Sequence, residues 1–267
     1  VTLDANYVYW SSKGGSGMPG GIYRRHKQDG APEAFEPAIP GANRLLLDGD
    51  VLYYSAAVAG SSEVGRCDTT SLTCTVLATQ PEPAIGIARF GNDLFFTAPP
   101  SRVRVVDVDS GAESTSWMVP NGVSLLVAHA GFLYGTSTNK VWRAQFAMPA
   151  PVEEQELIGA NALAVVDGTV VVAQVTSMGG LYHLGTFEAP APLVTDQEQI
   201  ATLASRDGWL YFATFGDGMI KRIPSAGGTP QIIEPNEPSA NGVAVDGTHV
   251  YFTQHQPGGA LRRLALP

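Results

Sequence analysis

The chain has 267 residues, of which 44% are hydrophobic and only 15% are charged, with 30 Gly and 19 Pro. This composition is typical of a folded protein with many short strands and many turns. The net charge of −9 argues against nucleic acid and anionic membranes as partners, because both require a basic surface. No apolar run reaches the roughly 18 residues that would suggest membrane insertion.

A phrase of two or three apolar residues, a polar turn and an apolar-aromatic pair recurs seven times. Its copies lie at 1–10, 44–54, 86–96, 125–135, 162–172, 202–212 and 242–252. Successive copies are 37 to 44 residues apart, the length of a four-stranded propeller blade. Their apolar residues alternate with period two, which predicts strands. The sequence therefore predicts an all-β, seven-bladed β-propeller forming a single domain over residues 1–267, with six blades as the alternative.

Each copy predicts four strands, A to D, from the central channel outwards. In the sixth copy these are Leu203–Ser205, Trp209–Ala213, Met219–Ile223 and Pro230–Ile233. The seventh copy ends soon after Leu261–Leu264, before a strand D. We therefore expect a last blade of three strands, unless residues upstream of Val1 have been removed. The absence of an initiator Met favours a mature or trimmed chain.

The loops between strands B and C vary most among the copies. They are predicted at 11–20, 55–62, 97–101, 135–139, 174–180, 214–218 and 253–259. In a propeller they share one face with the links into strand A, and loops on a rigid scaffold commonly carry binding sites. Exposed Met and aromatic side chains such as Met178 and Phe215 suit an adaptable contact surface. The alternative is that these loops only pack on one another.

The only two cysteines, Cys67 and Cys74, flank the predicted turn between strands C and D of the second copy. Facing positions on a hairpin lie within disulfide range, so we expect a bond between them. A metal site would need further ligands, and none of the five His lies in this segment. A disulfide indicates an extracytoplasmic compartment.

Strand C carries a basic residue at one register in six copies. These are Arg24, Arg66, Arg143, His183, Arg222 and Arg263. They could form a binding ring, but we expect a structural role, with each stem covering a strand B aromatic and each head reaching water or a carboxylate. The expected aromatics are Tyr9, Tyr53, Phe95, Tyr134, Tyr211 and Tyr251.

Candidate ligand-binding residues come from the loop-bearing face. Three copies carry an asparagine where the chain enters strand A: Asn43, Asn161 and Asn241. Their amides could bind a polar ligand at the channel mouth, or each could close an Asx turn. The other candidates on this face are Met178, Phe215, Asp217, Gln254 and His255.

Evidence for catalysis in the sequence is sparse. His255 is the only histidine expected on the loop-bearing face, and Asp217 is the nearest carboxylate by blade order. Without a placed nucleophile this pair does not define an acid–base site, so we predict no catalytic residue, cofactor or metal. A lyase or hydrolase acting through His255 stays as one alternative. A lectin is the other, although the four Trp occupy four different registers.

The copies resemble the β-propeller repeats of secreted proteins and lipoproteins from myxobacteria and related bacteria. Asp4 with Val8-Tyr9-Trp10, and Ile220 to Pro230, carry this resemblance, with a looser likeness to NHL-type and YWTD-type propellers. It covers the whole chain and implies a propeller without implying an activity. Streptogramin lyases share the architecture, but their catalytic His and Glu pattern does not fit these loops.

Together these features predict a non-enzymatic binding module of bacterial origin that is secreted or attached to the cell surface. We expect it to be an acidic monomer, and a removed N-terminal segment could have carried a lipid anchor. The expected partner is a protein or a small polar ligand on the loop-bearing face, with no nucleic acid and no membrane insertion.

Overall fold

The structure is a computed structural model that describes residues 1–12, 19–119, 122–146, 152–185, 187–256 and 260–266. It is all-β, and its strands form seven antiparallel sheets that are the blades of a β-propeller. In the described part of the chain there is no helix of a length and hydropathy that would cross a membrane.

The chain divides into two compact units, Val1–Leu126 and Val127–Pro267. Apart from the first residue of β13, the first unit holds blades 1 to 3 and the second holds blades 4 to 7. The single domain expected over residues 1–267 stays a prediction.

Blades 1 to 3 each contain four strands in chain order. Blade 1 consists of β1 (Thr2–Leu3), β2 (Tyr7–Ser12), β3 (Gly21–His26) and β4 (Glu33–Ala34). Blade 2 consists of β5 (Ala42–Asp48), β6 (Val51–Val58), β7 (Ser61–Asp68) and β8 (Cys74–Gln80). Blade 3 consists of β9 (Ile87–Phe90), β10 (Asp93–Ala98), β11 (Arg102–Asp107) and β12 (Glu113–Met118).

Blades 4 to 6 repeat this order, and blade 7 is shorter. Blade 4 consists of β13 (Leu126–His129), β14 (Phe132–Thr136), β15 (Lys140–Gln145) and β16 (Glu153–Glu156). Blade 5 consists of β17 (Ala160–Val166), β18 (Thr169–Gln174), β19 (Gly179–His183) and β20 (Ala191–Gln197). Blade 6 consists of β21 (Ile200–Arg206), β22 (Trp209–Thr214), β23 (Met219–Pro224) and β24 (Gln231–Glu234). Blade 7 consists of β25 (Ala240–Val245), β26 (His249–Gln254) and β27 (Leu261–Ala265).

The hydrophobic core lies between neighbouring blades within each unit. Alternate residues of a strand face opposite neighbours, so both faces of an inner strand are apolar. In blade 2, Leu52 and Tyr54 pack toward blade 1, whereas Tyr53 and Leu46 pack toward blade 3. This two-sided burial explains why the strand segments of the recurring phrase carry consecutive apolar residues, in place of the period-two alternation expected from the sequence.

An aspartate that recurs in the first and seventh copies of the phrase caps the A–B hairpin. Asp4 Oδ1 accepts hydrogen bonds from the backbone N–H groups of Asn6 and Tyr7, and its Oδ2 accepts one from the Tyr9 hydroxyl at 2.5 Å. Asp246 makes the same set of bonds in blade 7, including one from the Tyr251 hydroxyl at 3.1 Å. Burial and, to a smaller extent, the negative charge of Asp246 raise the pKa of Tyr251 to about 12. The carboxylate thus fixes both the turn and the strand B tyrosine.

The last blade has three strands in the described part of the chain, as the sequence predicted. The expected disulfide is also present: Cys67 and Cys74 face one another on β7 and β8 and are bonded. The loop expected over residues 55–62 is wrong, because β6 and β7 continue to a turn at Ala59-Gly60. Ser55 and Ala56 are fully buried, so these small residues belong to a strand and not to a surface loop.

Candidate functional site

The loop-bearing edge of the blades has a repeated backbone arrangement. In four blades a residue near or just beyond the end of strand B donates its backbone N–H to the carbonyl of a residue just before strand A. The pairs are Ala57 to Gly41, Val175 to Gly159, Phe215 to Gln199 and His255 to Ser239, at 2.7 to 2.9 Å. These bonds hold the link into strand A against the end of strand B, so side chains from both segments lie next to one another.

In the same four blades strand A begins with a β-bulge. The extra residue is Asn43, Asn161 or Ala201, and in blade 7 the Asn241-Gly242 pair lies opposite Thr253. Bulges redirect a side chain without changing the register on either side. The three predicted asparagines therefore occupy equivalent positions because each lies at a bulge.

The contacts of the three asparagines differ. Asn161 Nδ2 donates to the carbonyl of Ala201, the bulge residue of the next blade, at 3.1 Å. The Asn43 side chain is exposed, and its backbone carbonyl is 3.5 Å from the Ser11 hydroxyl. Asn241 is half-buried. The amide of Asn161 thus joins two blades instead of closing an Asx turn, and a ligand role for the three stays a prediction.

The candidates Asp217 and Gln254 have structural partners. Asp217 accepts a hydrogen bond from Thr214 and pairs with Lys221 at 2.5 Å, within blade 6. Gln254 donates to the Glu237 carboxylate at 3.2 Å, and Glu237 also pairs with Arg262. Glu237 is only 2% exposed, so these bonds compensate a buried charge.

His255 is exposed on the loop-bearing edge, and its backbone N–H donates to the Ser239 carbonyl at 2.7 Å. Asp217, its expected carboxylate, bonds Thr214 and Lys221. Among the described residues no group of three or more His, Cys, Asp or Glu could hold a metal ion. The lyase, hydrolase and lectin alternatives stay untested.

Met178 and Phe215 belong to a larger apolar surface, two members of which were not predicted from the sequence. Together with Ile158 and Val175 they form what we call the apolar ridge of blades 5 and 6. The exposed fraction is 65% for Ile158, 42% for Val175, 73% for Met178 and 44% for Phe215. They make up half of the eight large hydrophobic side chains that are exposed in the described part of the chain.

Backbone hydrogen bonds join the members of the apolar ridge. Gln174 Nε2 donates to the Ile158 carbonyl at 3.0 Å, next to the bond that joins Val175 to Gly159. The carbonyl of Thr176 accepts from both Gly179 and Gln199, at 3.1 and 3.0 Å, and Met178 lies in the turn between Thr176 and Gly179. Gln199 in turn accepts from Phe215. These bonds therefore place the backbone segments that carry Ile158, Val175, Met178 and Phe215 next to one another.

Acidic side chains border the apolar ridge. Two carboxylates, Glu154 and Glu156, share the Lys140 ammonium group at 2.7 and 3.4 Å, and the hydrogen bond that Lys140 donates to Glu154 raises the pKa of Lys140. Glu198 is exposed, and a Cβ at Gly216 would lie 2.7 Å from its Oε2, so this carboxylate lies beside Phe215. The border therefore carries excess negative charge.

The basic residues of strand C act in the scaffold. Arg24 pairs with Glu33 at 2.6 Å and donates to the carbonyl of Thr69 in the next blade. Arg66 and His183 likewise reach carbonyls of the next blade, those of Val108 and Ser225, at 2.7 and 2.9 Å.

For three of these cations the aromatic partner is not the expected ring but the one two residues earlier on strand B. The guanidinium groups of Arg24, Arg143 and Arg222 lie over the rings of Tyr7, Phe132 and Trp209 at 4.2 to 4.7 Å. The cation reaches the first ring of strand B because the middle aromatic, such as Tyr9, is buried between the blades.

Comparison with known proteins supports the fold alone. No protein family matches the chain by sequence, and no curated protein does. A chain of the mitotic checkpoint complex matches with a TM-score of 0.71 and 15% identity, over 92% of this chain and 84% of that one. The β-propeller domain of Myceliophteria thermophila Cps50 (Swd1) matches with a TM-score of 0.64 and 13% identity, over 85% and 87%. BamB from Moraxella catarrhalis matches with a TM-score of 0.63 and 11% identity, over 99% and 84%.

Proposed function

We propose that this propeller is an extracytoplasmic protein-interaction module that binds a partner protein on the apolar ridge. The observation that carries the proposal is that four exposed apolar side chains, Ile158, Val175, Met178 and Phe215, lie on segments of the second unit that hydrogen bonds hold together. Contiguous exposed apolar surface on a soluble protein commonly marks an interaction site. Met and Phe are also enriched at protein interfaces. One structural neighbour is a chain of a protein complex, the mitotic checkpoint complex, which is consistent with this role.

The charge around the ridge defines the chemistry of the partner. Glu156 and Glu198 lie beside the apolar side chains, and the chain as a whole carries a net charge of −9. Complementary charge steers association and suppresses wrong partners. The partner segment should therefore present apolar side chains flanked by Lys or Arg.

The extracytoplasmic part of the proposal has its support in the Cys67–Cys74 disulfide. Disulfides persist in oxidising compartments and are rare in a reducing cytosol.

The test uses three labelled synthetic peptides and the full chain. The first peptide carries leucines flanked by lysines, the second replaces the lysines with glutamates, and the third replaces the leucines with serines. Fluorescence anisotropy should detect saturable binding of the first peptide only, weakening as salt rises because the charges are exposed.

Two matched variants locate the site. The triple variant Ile158→Ser, Met178→Ser, Phe215→Ser should weaken binding of the basic apolar peptide at least tenfold, since such apolar anchors supply most interface energy. The control, Phe90→Ser with Ile232→Ser, removes two apolar side chains that are equally exposed elsewhere, at 52% and 57%. Equal affinity of the triple variant and the control, or equal binding of the acidic peptide, would overturn the proposal.

A further inference from the structure

A second feature, in the first unit, is independent of the apolar ridge. Arg44 of β5 lies directly after the bulge, and its register partner on β6 is Ser55. Side chains of directly opposed residues project from the same face of a sheet, with Cβ atoms about 5 Å apart. The guanidinium and the hydroxyl therefore start from adjacent points of one surface.

Both side chains face the interface between blades 2 and 3. Leu46 and Tyr53 follow on the same face and pack in the core cluster that also contains Ile87 and Phe96 of blade 3. Arg44 and Ser55 lie at the loop-bearing end of that cluster. The surroundings are thus apolar on the inner side and close to the link into blade 3.

Neither polar group has a partner in the described part of the chain. Ser55 is fully buried, and its Oγ makes no hydrogen bond there. Arg44 Nε is also buried without a hydrogen bond, and no ion pair joins Arg44 to a described carboxylate. Burial lowers the pKa of Arg44, but a guanidinium stays charged in proteins. Arg44 as a whole is half-buried, and its Nε is the buried atom. A buried donor of a cation beside a buried hydroxyl is costly unless an acceptor satisfies both.

Blade 3 shows how the same position is satisfied without a ligand. There Gly86 takes the place of Arg44 and Thr97 the place of Ser55. Thr97 Oγ1 accepts hydrogen bonds from the N–H groups of Ile85 and Gly86, at 2.8 and 2.9 Å. In blade 2 the hydroxyl makes no such bond and an arginine is added, so the site presents donors to something outside the chain.

We propose that Arg44 and Ser55 bind a small monocarboxylate, an anion of the acetate or formate class. The planar guanidinium matches a carboxylate through two parallel hydrogen bonds, and the serine hydroxyl can donate a third. The Val1 ammonium group lies within electrostatic range of Arg44, so the preference for a monocarboxylate rests on the planar two-point geometry and not on charge count. A dianion such as phosphate loses more hydration on entering a largely apolar interface, so we expect it to bind more weakly.

The experiment measures binding and stability of the full chain in sodium acetate, sodium phosphate and sodium chloride at equal ionic strength. Isothermal titration should show saturable acetate binding, and the thermal midpoint should rise with acetate but not with chloride. No acetate-specific shift relative to chloride, or stronger binding of phosphate than of acetate, would overturn the assignment.

Variants separate an anion site from a structural arginine. Arg44→Gln should weaken acetate binding at least tenfold, Ser55→Ala should weaken it less, and the exposed Arg25→Gln control should leave it unchanged. In chloride alone Arg44→Gln should be at least as stable as the wild type, because a buried unpaired charge has been removed. The proposal would be contradicted if the Arg44→Gln variant were less stable than the wild type in chloride, or if it bound acetate with unchanged affinity. Neither outcome bears on the apolar ridge.

Discussion

Side chains on strand C and side chains on the loop-bearing edge of blades 5 and 6 differ in how far they are bonded within the fold. On strand C, Arg143 pairs with Glu153 at 2.7 Å and lies over Phe132 and Phe187. On the loop-bearing edge, Ile158 and Met178 are mostly exposed. The strand C residues that recur in the repeat bond within the fold. Among the residues that depart from it, Asp217 and Gln254 have partners, whereas the apolar Ile158 and Met178 stay exposed. A ligand is best sought among the departures.

The largest effect on stability should come from a glycine that belongs to the repeated backbone arrangement. A Cβ at Gly41 would lie 1.5 Å from the Ala57 carbonyl oxygen, so Gly41→Ala forces the link away from strand B. We expect a loss of about 3 kcal/mol in the free energy of unfolding, measured by chemical denaturation. Gly247→Ala is the matched control, since its nearest atom would be 3.8 Å away. Comparable losses in both variants would contradict the account of this link.

The disulfide should be next in size. Replacing Cys67 and Cys74 together with serine should cost about 2.5 kcal/mol, because the bond restricts the unfolded chain. Dithiothreitol should lower the stability of the wild type by a similar amount and leave the double variant unchanged. A drop in the double variant on reduction would show that the effect has another cause, because the chain has no other cysteine.

Two adjacent arginines of β3 test the structural role of strand C. Arg24 contacts Glu33, Thr69 and the Tyr7 ring, whereas Arg25 is exposed. Arg24→Ala should cost about 1.5 kcal/mol through lost packing and ion pairing. Arg25→Ala should change the free energy of unfolding by less than about 0.5 kcal/mol. Equal effects in urea denaturation would remove the distinction between recurring and exposed cations.

The smallest effect should come from the ridge itself. Met178→Ser and Phe215→Ser should each shift stability by less than about 0.5 kcal/mol, because Met178 is largely exposed and Phe215 is partly exposed in the folded chain. A loss above about 1.5 kcal/mol in thermal or chemical unfolding would mean that the ridge is part of the core. The contrast between the two regions would then disappear.

The fold could be predicted from the sequence because the repeat reflects a packing requirement that every blade shares. Each blade needs the same apolar pattern to cover its neighbours, so spacing and period alone predicted seven blades, the short last blade and the disulfide. The loop expected over residues 55–62 was wrong because Ser, Ala and Gly resemble a turn in composition. In the structure these residues continue the strands, with Ser55 and Ala56 enclosed between blades.

The candidate site was only partly predictable. Met178 and Phe215 were found because they interrupt polar loops. Ile158 and Val175 were missed because Ile158 follows Leu157 and Val175 follows strand B, so both resemble ends of buried strands in the sequence. Their proximity depends on bonds between segments distant in sequence. Arg44 could have been found by aligning its register, where other copies carry Gly86, Ala162 or Thr202.

The bulge at the start of strand A has a consequence for how such a protein can diverge. Because the extra residue is not matched in the ladder, its identity is not constrained by the alternation that governs the rest of the strand. Asn43, Ala201 and Asn241 show that chemically different side chains are accommodated there with the flanking register intact. Each bulged blade thus offers one position that can mutate independently, so recognition could be altered one blade at a time without rebuilding the scaffold.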